Sequence, residues 1–155
     1  MALALPDLLD EKLVALDLRA TTADEAIGEI VALMAATRKI DNPDEFLEQV
    51  LERERANPPI IEHGVAFPHA RTDLVKKIML GIGRSRGGVP FGDIGGRAQL
   101  IFVVAVPRQL ITDYLICVGA LARLTKDGAT RTALLQAQTT AQFLEVLRAK
   151  SALLG

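Results

Sequence analysis

The stretch Arg55-Ala56-Asn57-Pro58-Pro59-Ile60-Ile61-Glu62-His63-Gly64-Val65-Ala66-Phe67-Pro68-His69-Ala70-Arg71 marks the point at which the chain changes its hydrophobic period. Upstream of it, apolar residues recur at helical spacing. Thr22-Ala23-Asp24-Glu25 has the form of a capping box, and Ala26, Ile27, Ile30, Val31 and Met34 follow on one face, which predicts an amphipathic helix over about residues 22–38. Asn42-Pro43-Asp44-Glu45 then supplies a cap, a proline at the first helical position and acids in the first turn, so a second helix runs from there to about Arg55. Pro58-Pro59 stops it, because neither proline can donate a backbone hydrogen bond.

Downstream of the prolines, short apolar segments at Gly64–Phe67, Ile78–Ile82 and Leu100–Ala105 are separated by glycines and prolines, and they read as strands. The glycine-rich stretch from Arg86 to Gly96 reads as turns and a loop. Helical spacing returns with Leu115, Val118, Leu121, Ala122 and Leu124 before Gly128, and continues in Thr130–Gln136 and Ala141–Lys150. Helices on either side of a strand-rich centre predict an α/β fold, a mixed β-sheet sandwiched by helices.

Half of the residues are apolar and 24% are charged, so the 155-residue chain is neither disordered nor fibrous in composition. A domain of this length buries roughly 68–70% of the surface of its unfolded chain. With no repeat, low-complexity tract or linker in it, 1–155 is read as one domain. The densest apolar run, Leu100 to Pro107, is far shorter than the roughly 20 residues of a membrane-spanning helix. The N-terminus lacks a basic region and meets Asp7 before a signal-peptide core could form. The lone Cys117 has no intrachain partner and sits in an apolar helical stretch, as a small core residue of a protein in a reducing compartment would. These features together predict a cytoplasmic protein. Residues 1–62 carry fourteen acids and six bases, whereas residues 63–155 carry five and twelve, so the second part favours anions.

Histidine is scarce, with only His63 and His69. With one cysteine in the chain, histidine and cysteine alone assemble no four-ligand zinc pattern, and no metal is expected. Gly81-Ile82-Gly83-Arg84-Ser85-Arg86-Gly87 has its third glycine one position late and leads to Pro90, so it is no dinucleotide fingerprint. Five Phe and one Tyr among scattered bases make no stacking platform, and no nucleic acid is expected as a partner. His69 stands apart. A strand ending at Phe67, and a proline that sets the exit direction, would hold its imidazole at the rim of the sheet. One ring nitrogen of a neutral imidazole can act as a nucleophile while a hydrogen bond holds the other, and such a nitrogen can accept a phosphoryl group and pass it on. A structural or surface histidine fits the same spacing, so the residues alone leave both roles open.

Gly64-Val65-Ala66-Phe67-Pro68-His69-Ala70 resembles the phosphorylation-site signature of the enzyme IIA domains of the bacterial phosphotransferase system (PTS), in the fructose, mannitol and nitrogen-regulatory class. Leu51-Glu52-Arg53-Glu54 is similar to that family's Arg-Glu element, with Arg53 sixteen residues before the histidine. Gly87-Gly88-Val89-Pro90-Phe91-Gly92 resembles its Gly-Ile-x-Phe loop, Leu100–Pro107 its last core strand, and Leu121-Ala122-Arg123-Leu124 part of the helix after it. The resemblance covers about residues 5 to 150.

It implies the enzyme IIA mannitol/fructose-like fold and a phosphoryl carrier that takes phosphate onto His69 from HPr or its nitrogen-branch counterpart. Delivery would go to an enzyme IIB or permease, or to a regulatory target. It further implies that Arg53 stabilises the phosphoryl group, a role suited to a permanently charged, fork-shaped guanidinium, and that a transient phosphohistidine takes the place of any cofactor. Pro68 and Arg71 flank the histidine as accessory positions. One departure bears on mechanism: where the family has a second active-site histidine before a leucine, this chain has Thr112-Asp113-Tyr114-Leu115. Tyr114 can hydrogen-bond a phosphate oxygen but, with an ordinary pKa of about 10, supplies no imidazolium charge. His63 replaces the family's frequent asparagine about 20 Å along an extended chain from His69, and Pro59-Ile60-Ile61-Glu62 replaces its Ser/Thr-Gly-x-Gly turn. Two readings follow, a working carrier and a regulatory binding module of the same fold that does not transfer phosphate.

Overall fold

The computed structural model describes residues 4–92 and 96–153. Two short 3₁₀ turns, Leu5–Leu8 and Glu11–Leu13, lead into β1 (Val14–Ala15), α1 (Ala23–Ala35), α2 (Pro43–Ala56), β2 (Val65–Ala66), β3 (His69–Thr72), β4 (Met79–Pro90), β5 (Arg97–Pro107), α3 (Ile111–Lys126), α4 (Gly128–Gln136) and α5 (Thr140–Ala152). The helices start where local chemistry places their caps. Thr22 Oγ1 accepts from the Glu25 N–H at 3.2 Å and donates to the Glu25 carboxylate at 3.0 Å. Asn42 accepts from the Glu45 N–H, and Pro43 occupies the first turn of α2. α1 ends earlier than the sequence spacing predicts, because Thr37 and Arg38 donate three residues back and Arg38 then turns to φ 62°.

The sheet has five strands in the order β1-β4-β5-β2, with β3 also on β5. β4 and β5 pair antiparallel, and every other pairing is parallel. β2 and β3 lie one after the other along the same side of β5, Val65 opposite Leu100 and His69 opposite Val104, so they form one edge strand interrupted at Phe67-Pro68. Helices cover both faces. Ile101, Val103 and Ala105 of β5 enter one core with the buried sides of α1 and α2. Leu100, Phe102, Val104 and Val106 enter the other with α3, α4 and α5. The predicted mixed sheet sandwiched by helices is the observed architecture.

Three expectations change. Arg86 to Gly96 is not all loop, since β4 continues to Pro90 and pairs with β5 through Val89 and Ala98. Backbone groups make that ladder whatever the side chains are, and Arg97 steadies the glycines by donating to the Gly87 and Gly88 carbonyls at 3.4 and 3.1 Å. Positions 93–95 of that stretch lie outside the described residues. The strand at Gly64–Phe67 shortens to Val65–Ala66, and His69 opens a further strand rather than leaving the sheet, because its neighbour β5 extends through Pro107 and offers partners. β1 has no counterpart in the sequence reading, being two residues long.

Gly81 and Gly83 owe their identity to close packing. A Cβ at Gly81 would lie 2.6 Å from Ile30 Cγ2 and 2.8 Å from Met34 Sδ, and one at Gly83 would lie 2.6 Å from Ile30 Cδ1. α1 therefore sits directly on the β4 backbone. On the opposite face Arg84, 1% exposed, donates from Nε to the Leu16 carbonyl and from Nη1 to the Leu134, Leu135 and Ala137 carbonyls at 2.7–3.3 Å. It closes the C-terminal end of α4 and ties it to the sheet. Substitution Gly81→Val is expected to overpack the α1 contact and lower unfolding free energy by about 1–3 kcal/mol in urea denaturation.

Candidate functional site

The break in the edge strand builds the site. Pro68 has no N–H to give, and its carbonyl accepts from the Val104 N–H at 2.9 Å, so β3 resumes in the same register on β5 that β2 holds, Ala66 opposite Ile101 and His69 opposite Val104. Phe67 takes no place in the parallel ladder, so its carbonyl is available to a side chain. His69 Nδ1 lies 3.2 Å from it. A carbonyl only accepts, so the proton is assigned to Nδ1 and the lone pair to Nε2. Among the described residues Nε2 has no hydrogen-bond partner, which leaves it as the nucleophilic nitrogen.

Two helices reach this imidazole from opposite faces of the sheet. α3 brings Tyr114, whose hydroxyl oxygen lies 3.2 Å from His69 Nδ1, the two rings 4.5 Å apart between centroids and inclined by 34°. α2 brings Arg53, close enough for its charge to act on both His69 and Tyr114. Burial is the main cause that lowers the His69 pKa below the ordinary value. The Phe67 hydrogen bond opposes that shift and Arg53 adds to it. Burial likewise raises the Tyr114 phenol, with Arg53 opposing, so the phenol is neutral at physiological pH. Glu54, beside Arg53, is pushed up to about 6 by burial, Arg53 opposing and Asp24 adding.

A groove of about 580 Å³ adjoins the site, with Gln49, Arg53 and Asn57 in one wall and Ala70, Arg71 and Arg108 in the other. Arg71 Nη2 donates to the Arg108 carbonyl at 3.2 Å, and Arg108 Nε donates to Asp73 at 3.1 Å. Among the described residues Arg53 and Arg71 form no ion pair, and Glu52 is the one carboxylate in the groove wall. The groove thus presents guanidinium groups to an anion, one of them Arg53, whose charge also acts on His69. A larger cavity of about 820 Å³, near the 3₁₀ turns and Arg148, carries no such nucleophile and mixes acids with bases. Beside Tyr114, Ile111, Leu115 and Ile116 form an exposed apolar strip on α3, with Leu115 62% exposed.

Of the residues singled out in the sequence, His69, Arg53 and Tyr114 come together, Pro68 sets the break, and Arg71 stands on the groove wall. His63 does not join them. With Gly64 it occupies a left-handed turn, φ 58° and 72°, closed by the Val65 N–H on the Glu62 carbonyl. Histidine and asparagine are among the non-glycine residues that tolerate that conformation best. Cys117 is buried within the α3 side of the core, and burial lifts its thiol to about 12, which leaves it inert. The Phe67 carbonyl and Arg108 were not legible beforehand: every residue has a carbonyl, and Arg108 stands in no motif. No group of three or more His, Cys, Asp or Glu among the described residues could hold a metal ion, and no described helix is long and apolar enough to cross a membrane.

The family described as phosphoenolpyruvate-dependent sugar phosphotransferase system, EIIA 2, matches residues 7–150. A fructose-specific EIIA component of the PTS from Haloferax volcanii is 30% identical over 88% of this chain and 89% of its own. Among solved structures, the nitrogen regulatory protein IIA-Ntr of Neisseria meningitidis superposes with a TM-score of 0.77 at 21% identity, covering 92% of this chain and 97% of that one. The Escherichia coli mannitol enzyme IIA, solved in complex with phosphorylated enzyme IIB, gives 0.78 at 21% identity, covering 91% and 97%. At these identities the two structures establish a shared fold.

The depressed pKa of His69 means that the folded protein resists a proton that the unfolded chain would take. Its contribution to stability is therefore present above pH 6.5 and lost as pH falls through the folded value. An NMR titration of the His69 ring should give a midpoint below 6.5; one at or above it would contradict the site's desolvation.

Proposed function

This chain belongs to the EIIA 2 family of the phosphoenolpyruvate-dependent sugar phosphotransferase system, and we propose that it works there as a phosphoryl carrier with His69 Nε2 as the acceptor atom. The observation that carries this reading is the Phe67 carbonyl on Nδ1, which leaves Nε2 with its lone pair at the edge of the sheet. The phosphoryl donor is the phosphohistidine of an HPr-like carrier protein. In-line displacement between two imidazoles needs charge stabilisation around three oxygens more than it needs acid or base chemistry, and Arg53 supplies a permanent charge beside the ring. Arg71, in the groove wall, adds a second.

The exposed apolar strip of Ile111, Leu115 and Ile116, on the helix that brings Tyr114 to the imidazole, suits transient docking of a protein partner. The likeness to a mannitol enzyme IIA that was solved with phosphorylated enzyme IIB supports an enzyme IIB as the receiving partner. The likeness to IIA-Ntr supports a regulatory output as the other use of the same phosphorylated surface. Either use is cytoplasmic. Tyr114 in the place of the family's second histidine favours one alternative, a regulatory binding module that docks without transferring phosphate.

Incubation with phosphoenolpyruvate and the general phosphotransferase proteins, followed by intact-mass measurement, separates the two. One acid-labile phosphoryl adduct is expected on the wild type and none on His69→Ala. Absence of the adduct under conditions that label a control enzyme IIA would leave the docking module. Arg53→Lys should keep the adduct but slow its formation on the order of a hundredfold in quench-flow, since one point charge replaces a planar fork.

A further inference from the structure

Tyr114 approaches His69 at the nitrogen that is not the nucleophile. Its hydroxyl oxygen and the Phe67 carbonyl oxygen both lie 3.2 Å from Nδ1. One ring nitrogen cannot donate to a carbonyl and accept from a phenol at once. With the proton on Nδ1, the phenol oxygen becomes its second acceptor, and the phenol's own proton points away from the ring.

We propose that Tyr114 is a positioning residue that, together with the Phe67 carbonyl, clamps the proton on His69 Nδ1 between two acceptor oxygens and so keeps the phosphorylated imidazole in its protonated, readily transferring form. This rests on the carrier reading above. In the transfer step the Nε2–phosphorus bond forms as the phosphorus–nitrogen bond of the donor phosphohistidine breaks, and that bond's electron pair stays on the donor ring. No proton moves. His69 then carries phosphate on Nε2 and a proton on Nδ1, and its ring is formally cationic. Loss of the Nδ1 proton would leave a neutral ring that must depart as an anion in the next transfer, which is the slower path.

A second imidazolium at this place would repel the cationic ring, whereas a phenol oxygen accepts from it. One other group near the pair titrates close to neutrality: Glu54, beside Arg53, is pushed up to about 6 by burial. Arg53 from α2 and Arg71, two residues along β3, are permanently charged. Cys117, one turn along α3, has its thiol lifted to about 12. Above about pH 7, beyond the Glu54 and phosphoryl ionisations near 6, the Nδ1 proton sets the pH dependence of the phosphorylated site.

The test compares the phosphorylated wild type with Tyr114→Phe, which keeps the ring and removes the acceptor. In a combined ³¹P and ¹⁵N NMR titration, the midpoint for Nδ1 deprotonation of phospho-His69 should fall by about 0.5 to 1 unit in the variant. Above that midpoint, transfer to a phosphoryl acceptor should slow in parallel. Equal midpoints in the two proteins would overturn the clamp. Failure of the wild type to take phosphate would instead overturn the carrier reading, and the clamp is then read in the unphosphorylated proteins. There the wild-type ring should be protonated on Nδ1, and its N–H should exchange with water several-fold faster in Tyr114→Phe. A wild-type ring protonated on Nε2, or equal exchange rates, would overturn it without any phosphorylation.

Discussion

The row of backbone hydrogen bonds along β5 is the constraint on which the site depends. That strand is held on one side by the long antiparallel β4, and on the other it accepts two short parallel strands in sequence. Gln99 and Leu100 both donate to the Gly64 carbonyl at the start of this edge, and Val104 donates to Pro68 past its break. These bonds fix where β2 stops and where β3 begins. The His69 imidazole is the first side chain after the break, so its position is inherited from backbone groups and does not depend on side-chain packing alone.

The two faces of the sheet deliver different chemistry to that point. α2, packed with α1 on one face, contributes a permanent cation in Arg53; α3, on the other, contributes a neutral phenol in Tyr114. The helices can be trusted to hold these groups because the sheet beneath them is rigidly tied. Gly81 and Gly83 let α1 sit on the β4 backbone, and Arg84 binds the end of α4 to the same strand by donating to several buried carbonyls. A buried guanidinium needs partners for its donors; here Nε has the Leu16 carbonyl, Nη1 has the carbonyls left over at the end of α4, and Asp17 stands 3.6 Å from Nη2.

Much of this was legible in residue patterns. The caps at Thr22 and Asn42, the helical faces after them and the buried run from Leu100 follow from local rules that tertiary contacts then reinforce. The glycine-rich arm of β4 reads as loop in the sequence because glycine has no side-chain period, while its backbone still pairs. β3 is silent in the sequence for a related reason: His69-Ala70-Arg71-Thr72 carries almost no apolar signal, and becomes a strand because β5 offers it partners. Gly81-x-Gly83-Arg84 had no reading beyond the failed nucleotide motif, since its meaning lies in what packs above and below it.

The sequence by itself determined the helices and the two-sided apolar core strand, because these depend on residue type and near-neighbour spacing, while His69 and Arg53 stood out as candidates only through the family resemblance. Only the tertiary structure decided which imidazole nitrogen is free, because that depends on the direction of one carbonyl, a group every residue possesses. It alone also brought Tyr114, forty-five residues away along the chain, to the same nitrogen. Proton placement and long-range contact are set by geometry between distant segments, and no local pattern encodes them.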